Sequence, residues 1–570
     1  MTEDVVVKEV EAVLASPRAR AAFAAMAAER EPDPRPLYRL LGDQRLLAVN
    51  WPTAYGGRDL SGRCAAAVVG ALIAGGVPEV LHTLSVQICG NFLLAAGSAE
   101  QRAALLPGLA SGAITMTVLY SEPDVGSDLS ALGTTAEPDG TGWRIRGRKV
   151  YSVKTSMADY GLVAARTSAE VTQYQGISLF LVPLDAPGVT VEALDSLADE
   201  DFADVRLDEV HVPAAAVVGP VGGAWPLITE ALALERTGVD YVAKADLWLR
   251  TAPESNGRLR TRVAAARALS MRCVDSIDAG RVDPVGAAAT KHWTSETARA
   301  VAWWCTDIGA AREPGRLESA YREAPGLTIS AGTSEMMLEL VANSGLPSPE
   351  ADFPAGEEAL AGELRKAVRA IATAYDERDP ARACWPDLER LGVFDLAGSL
   401  GLGLRAQVIA CAELGRELHD DGVLDHLGGD DSQAVQRIRR AAWLTGLAAS
   451  CLARTVHRAR TREQFGRPLI TNQDVAFRLA RLKIHHDAVW ALVTDLAGRH
   501  DDGAPDPALA AGALAEAGTL ALATTREAVQ LHGAFGMTAA SPVRRHYLTA
   551  PVAVAADAPI AELYAAAAGP

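Results

Sequence analysis

The sequence of 570 residues has no C-x-x-C pair among its seven cysteines. An odd cysteine count without metal-ligand spacing indicates a reducing compartment and predicts neither a disulfide framework nor a metal site. The acidic start, MTEDVVVKEVEAVLAS, does not have the pattern of a secretory signal peptide. No run of about 18 or more strongly apolar residues indicates a membrane span. These absences predict a cytoplasmic protein with no membrane span.

Basic residues are fewer than acidic ones: the chain has 54 basic and 71 acidic residues, which gives a net charge of −17. Such a balance excludes a nucleic-acid partner and an anionic membrane surface, and it favours a small ligand or a neutral partner. The length exceeds that of one ordinary domain and allows several hydrophobic cores.

Changes in residue pattern divide the chain into six segments. Short β-branched or alternating runs separated by Gly, Pro and Asp predict one small β domain, and helical patterns flank it on both sides. A Pro-, Gly- and acid-rich stretch reads as a linker. The predicted segments are a helical N-terminal domain (1–115), the β domain (116–222), a helical domain (223–343), the linker (344–357), a shortened N-terminal-like helical domain (358–428) and a second C-terminal helical domain (429–570).

Three motifs occur in order within the predicted β domain: YSEPDVGSD, then GWRIRGRKVYSVKTS, then FADVRLDEVHVP. By itself YSEPDVGSD is also consistent with a plain loop. Further along stand VGGAWPLITEALALER, AGTSE, TREQFGRPLITNQ and QLHGAFGMT. Together this series resembles the acyl-CoA dehydrogenase family, which has a helical N-domain, a β-barrel-like middle domain and a four-helix C-domain and carries FAD. The predicted fold is therefore mostly α with a small β domain, followed by a second, all-helical degenerate copy.

The resemblance assigns five residues of the first part of the chain, before the predicted linker, to the flavin half of the cofactor, and it places Thr333 near the FAD pyrophosphate. Ser121 matches a hydrogen-bonding position at the pyrimidine edge, and Tyr151 matches an aromatic residue packed on the ring. Val153 stands where the family usually has a threonine that reaches flavin N5, so that hydroxyl is lost. The complete set implied by the resemblance is Tyr120, Ser121, Ser127, Tyr151, Val153 and Thr333.

The resemblance places the ADP end of FAD on the second part. In R-x-x-F-G, Arg462 would face the pyrophosphate as a charge-assisted donor, and Phe465 would pack by the adenosine half. Without the neighbouring motifs, Arg462 reads as an ordinary surface residue. The residues implied at this end are Arg462, Gln464, Phe465, Gln473, Gln530 and Gly533.

The parts of the chain before and after the predicted linker each lack motifs that the other part has. The first has no R-x-x-F-G, and CTDIGAA stands where Q-x-x-G-G is usual; the second has no β domain and no G-T-S-E. We infer a fused pseudo-heterodimer with one FAD per chain, and a homodimer of the fused chain. A weak internal likeness, YRLLGDQRLLAV to DLERLGVFDLAG, agrees with duplication.

The stretch SAGTSE has Ala331 where many members of the family have the catalytic glutamate. Other branches place that glutamate at an E-R pair on the first helix of the C-terminal domain, and ALALERTG supplies Glu235 followed by Arg236. The resemblance therefore makes Glu235 the general base; the alternative is a surface or ion-paired helix residue. Ser127, Arg236, Ala331 and Gly332 are the expected substrate contacts.

The predicted reaction is FAD-dependent α,β-dehydrogenation of an acyl thioester. Glu235 would take the Cα proton, and hydride would pass from Cβ to flavin N5. CoA is favoured over an acyl-carrier protein because both this chain and carrier proteins are acidic. An electron-transfer flavoprotein is the expected acceptor, and fatty-acid, steroid side-chain and natural-product metabolism all remain open. The alternatives are a flavin oxidase or monooxygenase on the same fold and a non-catalytic acyl-thioester-binding scaffold.

Overall fold

A computed structural model describes residues 2–27, 31–168, 172, 174–313, 315–347, 363, 366–371, 385–396, 401–417, 421–428 and 432–569. The chain divides into two compact units. Unit 1 comprises 1–250, 273–287 and 302–333, and unit 2 comprises 251–272, 288–301 and 334–570. The predicted linker at 344–357 lies largely outside the described residues.

Unit 1 begins with helices that share one hydrophobic core with the start of the sheet. Ser98 and Gln101 form a reciprocal capping box at the start of one of them, which explains why a helix begins there. The helices are α1 (Glu3–Leu14), α2 (Pro17–Met26), α3 (Arg35–Gly42), α4 (Gly62–Ala74), α5 (Val80–Ala96) and α6 (Ala99–Ala110). The middle of α5, Thr83–Gly90, is π-helical.

The strands of unit 1 form one eight-stranded sheet: β1 (Met116–Leu119), β2 (Thr135–Asp139), β3 (Gly142–Val153), β4 (Tyr160–Arg166), β5 (Ile177–Pro183), β6 (Val189–Leu194), β7 (Phe202–Pro213) and β8 (Val217–Val218). Their order is β6-β7-β3-β2-β4-β5-β8, with β1 paired in parallel to β4. Alternating apolar residues of β3, β5 and β7 bury a separate core around Phe180.

Helices follow the sheet: α7 (Trp225–Glu235), α8 (Val239–Thr251), α9 (Gly257–Asp278), α10 (Pro284–Asp307), α11 (Arg316–Leu327) and α12 (Ser334–Leu340). The later helices, all in unit 2, are α13 (Trp385–Leu391), α14 (Gly403–Glu417), α15 (Gln433–Thr461), α16 (Gln473–Asp501), α17 (Pro507–His532), α18 (Arg544–Val554) and α19 (Ile560–Ala567). A two-stranded hairpin, β9 (Glu463–Gln464) with β10 (Arg467–Pro468), interrupts them.

One helical stretch in the described part, Pro507–Met537, is long and apolar enough to cross a membrane by length and composition. Its most apolar window is 78% buried inside the protein, as in the core helix of a bundle. The sequence-based expectation of no such stretch is therefore qualified by α17, whose alanine-rich surface packs against other helices of unit 2.

The prediction of a mostly helical chain with a small β domain and a further all-helical region is confirmed. The strands run from Met116 to Val218, within the predicted β segment. The bounds of the six predicted segments stay predictions; the two compact units group the helices in another way.

Candidate active site

Glu235 is the last residue of α7 and lines a cavity of about 90 Å³ within unit 1. Helices α4, α5, α7, α8 and α9 supply the walls. Ala65, Val69, Ile88 and Leu234 are among the apolar lining residues. The exposed Asp278 also lines the cavity, so one side of it opens to solvent. The structure thus places the predicted base in an internal cavity and not on a fully solvated helix face.

The loop that carries Ala331 is tied to the helix that carries Glu235. The Arg236 guanidinium Nε donates to the carbonyl of Ala331 at 3.0 Å, and the Tyr241 hydroxyl lies 3.1 Å from that of Ser330. Ala331 has a φ of 54°, which non-glycine residues adopt uncommonly, and Gly332 follows at 94°. Such a strained loop, held by a buried arginine, is typical of functional sites.

The surroundings of Glu235 are electrostatically perturbed. Burial raises the pKa of the Tyr120 hydroxyl, and the charges of Cys89 and Glu235 raise it further. Burial lowers the pKa of Arg236, against the opposing effect of Glu235. Burial also raises the pKa of Asp240, another cavity residue, to about 6, partly offset by Lys244. Asp240 lines the cavity itself, and titrating groups with shifted pKa values near a cavity are typical of a catalytic site.

A buried lysine fixes the start of the YSEPDVGSD loop. Lys149 on β3 donates to the carbonyl of Tyr120 at 3.0 Å and pairs with Glu122 at 2.8 Å. The Glu122 carboxylate in turn accepts from the backbone N–H groups of Gly133 and Thr134. Burial lowers the pKa of Lys149 to about 8 despite its carboxylate partner. Lys149 and Glu122 therefore connect the loop of Tyr120 and Ser121 to strand β3 and to the backbone at Gly133 and Thr134.

Ser121 and Ser127 lie on this loop. Ser121 is half-buried and its carbonyl accepts from the Val150 N–H at 3.0 Å, whereas Ser127 is exposed. Thr333 immediately precedes α12 and is half-buried. All three belong to unit 1, together with Ala331 and Gly332.

Tyr151 and Val153 stand at the end of β3. Tyr151 is 58% exposed, has a φ of 65° and makes an edge contact with Phe202 at 6.0 Å between ring centroids. Val153 is the last residue of β3, and its carbonyl accepts from the Thr117 hydroxyl at 3.3 Å. An exposed aromatic ring in a strained backbone offers a flat surface for a ring-shaped ligand.

In unit 2, Arg462 caps the end of α15 and leads into the β9–β10 hairpin. Phe465 and Gly466 form its turn with φ values of 55° and 74°, as a two-residue hairpin turn of the primed type requires. Phe465 is fully exposed, and Arg462 and Gln464 are exposed as well.

The remaining predicted residues of unit 2 lie close to this hairpin. Gln473 is the first residue of α16, Gln530 lies in the last turn of α17, and Gly533 ends that helix; all three are exposed. Leu469 beside the hairpin, Val475 beside Gln473 and Leu531 beside Gln530 pack against one common core cluster. The Arg458 guanidinium also lies over the Phe535 ring at 5.4 Å. The segments that carry the motifs of unit 2 therefore share one apolar core cluster, and their predicted residues are exposed.

Several cavity residues were not predicted from the sequence. These polar residues are Asn50, Thr83, Gln87, Asn91, Thr237, Asp240 and Asp278. The one available signal was the glutamine inside the otherwise apolar LSVQICG run. Among the residues of the described ranges, no three His, Cys, Asp or Glu side chains are grouped so that they could hold a metal ion.

Three family models match the chain. The acyl-CoA dehydrogenase N-terminal domain matches residues 3–113, the middle domain matches 117–210, and the C-terminal domain matches both 254–346 and 432–557. The double match of the C-terminal model agrees with the duplication inferred from the sequence.

Curated relatives and solved structures agree with these matches. The acyl-CoA dehydrogenase IpdE1 of Mycobacterium tuberculosis is 27% identical over 311 residues, 54% of this chain and 76% of the relative. FadE26 of the same organism is 27% identical over 352 residues, 55% of this chain and 87% of the relative. The solved Tcur3481-Tcur3483 steroid ACAD has 28% identity and a TM-score of 0.53, covering 60% of this chain and 96% of that one.

Proposed function

The chain belongs to the acyl-CoA dehydrogenase family, and we propose that it is an FAD-dependent acyl-CoA α,β-dehydrogenase whose general base is Glu235. One observation carries this proposal. Glu235 lines an internal cavity, and the residue that follows it holds the loop of Ala331 by a hydrogen bond. The base therefore stands beside the loop from which the usual glutamate is missing.

The residues present fit FAD. Tyr151 and Phe465 are exposed aromatic rings in left-handed backbone conformations, and the Tyr120 hydroxyl is buried with no hydrogen-bond partner in the described part of the chain. Arg462 is an exposed cation at the helix end that precedes Phe465. The flavin half would be held by Tyr120, Ser121, Ser127, Tyr151 and Val153, and Thr333 would lie near the pyrophosphate. The ADP half would be held by Arg462, Gln464, Phe465, Gln473, Gln530 and Gly533.

The protein's own residues supply acid–base chemistry and positioning. The Glu235 carboxylate accepts the Cα proton of the acyl thioester, and Arg236 keeps the loop of Ala331 in place. A backbone N–H of that loop donates to the thioester oxygen and stabilises the negative charge that develops there. The bound FAD supplies the acceptor for the hydride that leaves Cβ.

A flavin oxidase is the second candidate, and Val153 favours it because the hydroxyl that the family usually offers near flavin N5 is absent. We expect acyl-CoA to bleach the flavin absorbance without oxygen, and the reduced protein to reoxidise slowly in air. Stopped-flow absorbance measures both rates. Rapid reoxidation with formation of peroxide would favour the oxidase, and a purified protein without flavin would favour the non-catalytic scaffold.

The partners follow from this proposal. The acyl carrier is CoA and not an acidic carrier protein, because the chain itself has a net charge of −17. The electron acceptor is an electron-transfer flavoprotein, and the fused chain forms a homodimer.

The cofactor ratio is expected to be one FAD per chain. A complete set of the twelve cofactor residues occurs once, divided between the first and second parts of the sequence, although the C-terminal family model matches twice. Heat-released FAD, measured by absorbance against protein from amino-acid analysis, gives the ratio. A ratio near two per chain would contradict the fused pseudo-heterodimer.

A further inference from the structure

Three polar atoms in the cavity wall are buried without a partner. Asn50 Oδ1, Thr83 Oγ1 and Gln87 Nε2 have no hydrogen-bond partner among the described residues, and all three residues line the cavity that contains Glu235. A buried polar atom without a hydrogen-bond partner is destabilising, because it has lost its hydrogen bonds to water without replacement. A site built for a plain hydrocarbon chain would carry apolar side chains at these positions, so these atoms point to a ligand that satisfies them.

The contrast with Asn91 shows that polar cavity residues are not all alike. Its Oδ1 accepts from the Trp51 indole at 2.8 Å, and its Nδ2 donates to the Gln87 carbonyl at 2.9 Å. Asn91 is therefore occupied in holding α5 against the loop of Trp51. By contrast, no hydrogen bond within the described residues occupies Asn50 Oδ1, Thr83 Oγ1 or Gln87 Nε2.

Backbone geometry supports the same interpretation. Thr83 and Gln87 lie four residues apart in the π-helical stretch Thr83–Gly90, inside an otherwise apolar helix. Single π-helical turns are rare and occur frequently at functional sites. This one places both polar side chains in the cavity wall with Ile88.

The hydrogen-bonding capacities of the three atoms indicate which functional group of a ligand they would bind. An amide oxygen accepts, an amide nitrogen donates and a hydroxyl does either. A hydroxyl group on the substrate satisfies this combination because it also does both. An ammonium group offers donors alone, and a carboxylate would meet the acidic side chains of Glu235 and Asp240 in the same cavity.

The cavity volume limits the size of the acyl group. At about 90 Å³, it is smaller than the cavity of roughly 150 Å³ that accommodates benzene in another protein. A chain of roughly four to six carbons is consistent with this volume, and a larger group would have to extend through the open side of the cavity.

We propose that the substrate is a short acyl thioester that carries a hydroxyl group beyond Cβ, which Asn50, Thr83 and Gln87 recognise. This inference rests on the proposed dehydrogenase function and specifies its substrate class. Plain acyl groups of the same length leave the three polar atoms unsatisfied, and such sites reject analogues that lack the hydroxyl.

The test compares butanoyl-, pentanoyl- and hexanoyl-CoA with their ω-hydroxy derivatives on the FAD-loaded protein. We expect the second-order rate constant for anaerobic flavin reduction to be at least about tenfold higher for the hydroxy member of one pair. Thr83→Val and Gln87→Leu should bring that ratio towards one, because each removes a polar group that would bind the hydroxyl. Ile88→Val is the matched control, because it trims the same wall without a polar change and should alter both members equally.

Binding is measured separately by the thermal stabilisation that each thioester gives to the FAD-loaded protein. If the wild type reacts with both members of every pair equally, or prefers the plain one, the substrate class is wrong while the dehydrogenase stands. If no thioester reduces the flavin, the dehydrogenase is wrong. In that case stronger stabilisation by the hydroxy member still supports the pocket chemistry, and equal stabilisation overturns it.

Discussion

Glu235→Gln is expected to lower turnover by at least about 100-fold, the lower end of the effect of removing a general base. The glutamine retains the size of the side chain and most of its hydrogen bonds but cannot accept the Cα proton. FAD content and thioester binding should therefore be unchanged. Steady-state turnover with an artificial electron acceptor measures the loss, and the flavin spectrum checks the cofactor.

Glu230→Gln is the matched control for this substitution. Glu230 lies on the same helix, five residues earlier, and is exposed to solvent. It should keep full turnover. If Glu235→Gln reduces its flavin at the wild-type rate, another residue is the base, or the reaction does not begin with abstraction of a Cα proton.

Arg462→Ala is expected to weaken FAD binding by roughly 1.5–3 kcal/mol, the contribution of a hydrogen bond to a charged group. That loss corresponds to a dissociation constant about 10- to 150-fold higher. The reason is the loss of a charge-assisted donor to the pyrophosphate. Titration of the apoprotein with FAD, followed by flavin fluorescence, measures the constant.

Arg467→Ala provides the comparison for this effect. Arg467 lies on the same hairpin and donates to the Asn472 side chain at 3.0 Å. Arg467→Ala removes one positive charge, as Arg462→Ala does, so a non-specific electrostatic effect on FAD binding would appear in both variants. Equal FAD affinity in wild type and Arg462→Ala would mean that the second part of the chain does not hold the ADP end.

Contiguous motifs in the sequence were sufficient to predict the family and the fold. YSEPDVGSD, the E-R pair at Glu235 and R-x-x-F-G are short strings whose order predicted the fold, and Glu235 does line a cavity of unit 1. The strands of the β domain were predictable because alternation of apolar residues reflects burial on one face of a sheet.

The cavity wall could not be predicted in the same way. Asn50, Thr83 and Asp240 come from separate elements that only folding brings around Glu235. The π-helical turn in α5 has no distinctive composition, since LSVQICG resembles any apolar helix. The composition of α17 meets the criterion for a membrane span, although most of its apolar window is buried within the protein.

The most direct test of the central claim is the product formed when the wild-type protein reacts once with an acyl-CoA in the absence of oxygen. Mass spectrometry should detect the thioester less two hydrogens, with a 2,3-double bond, in an amount equal to the flavin that is bleached. Bleaching without that product, or a product that contains added oxygen when air is admitted, would contradict α,β-dehydrogenation.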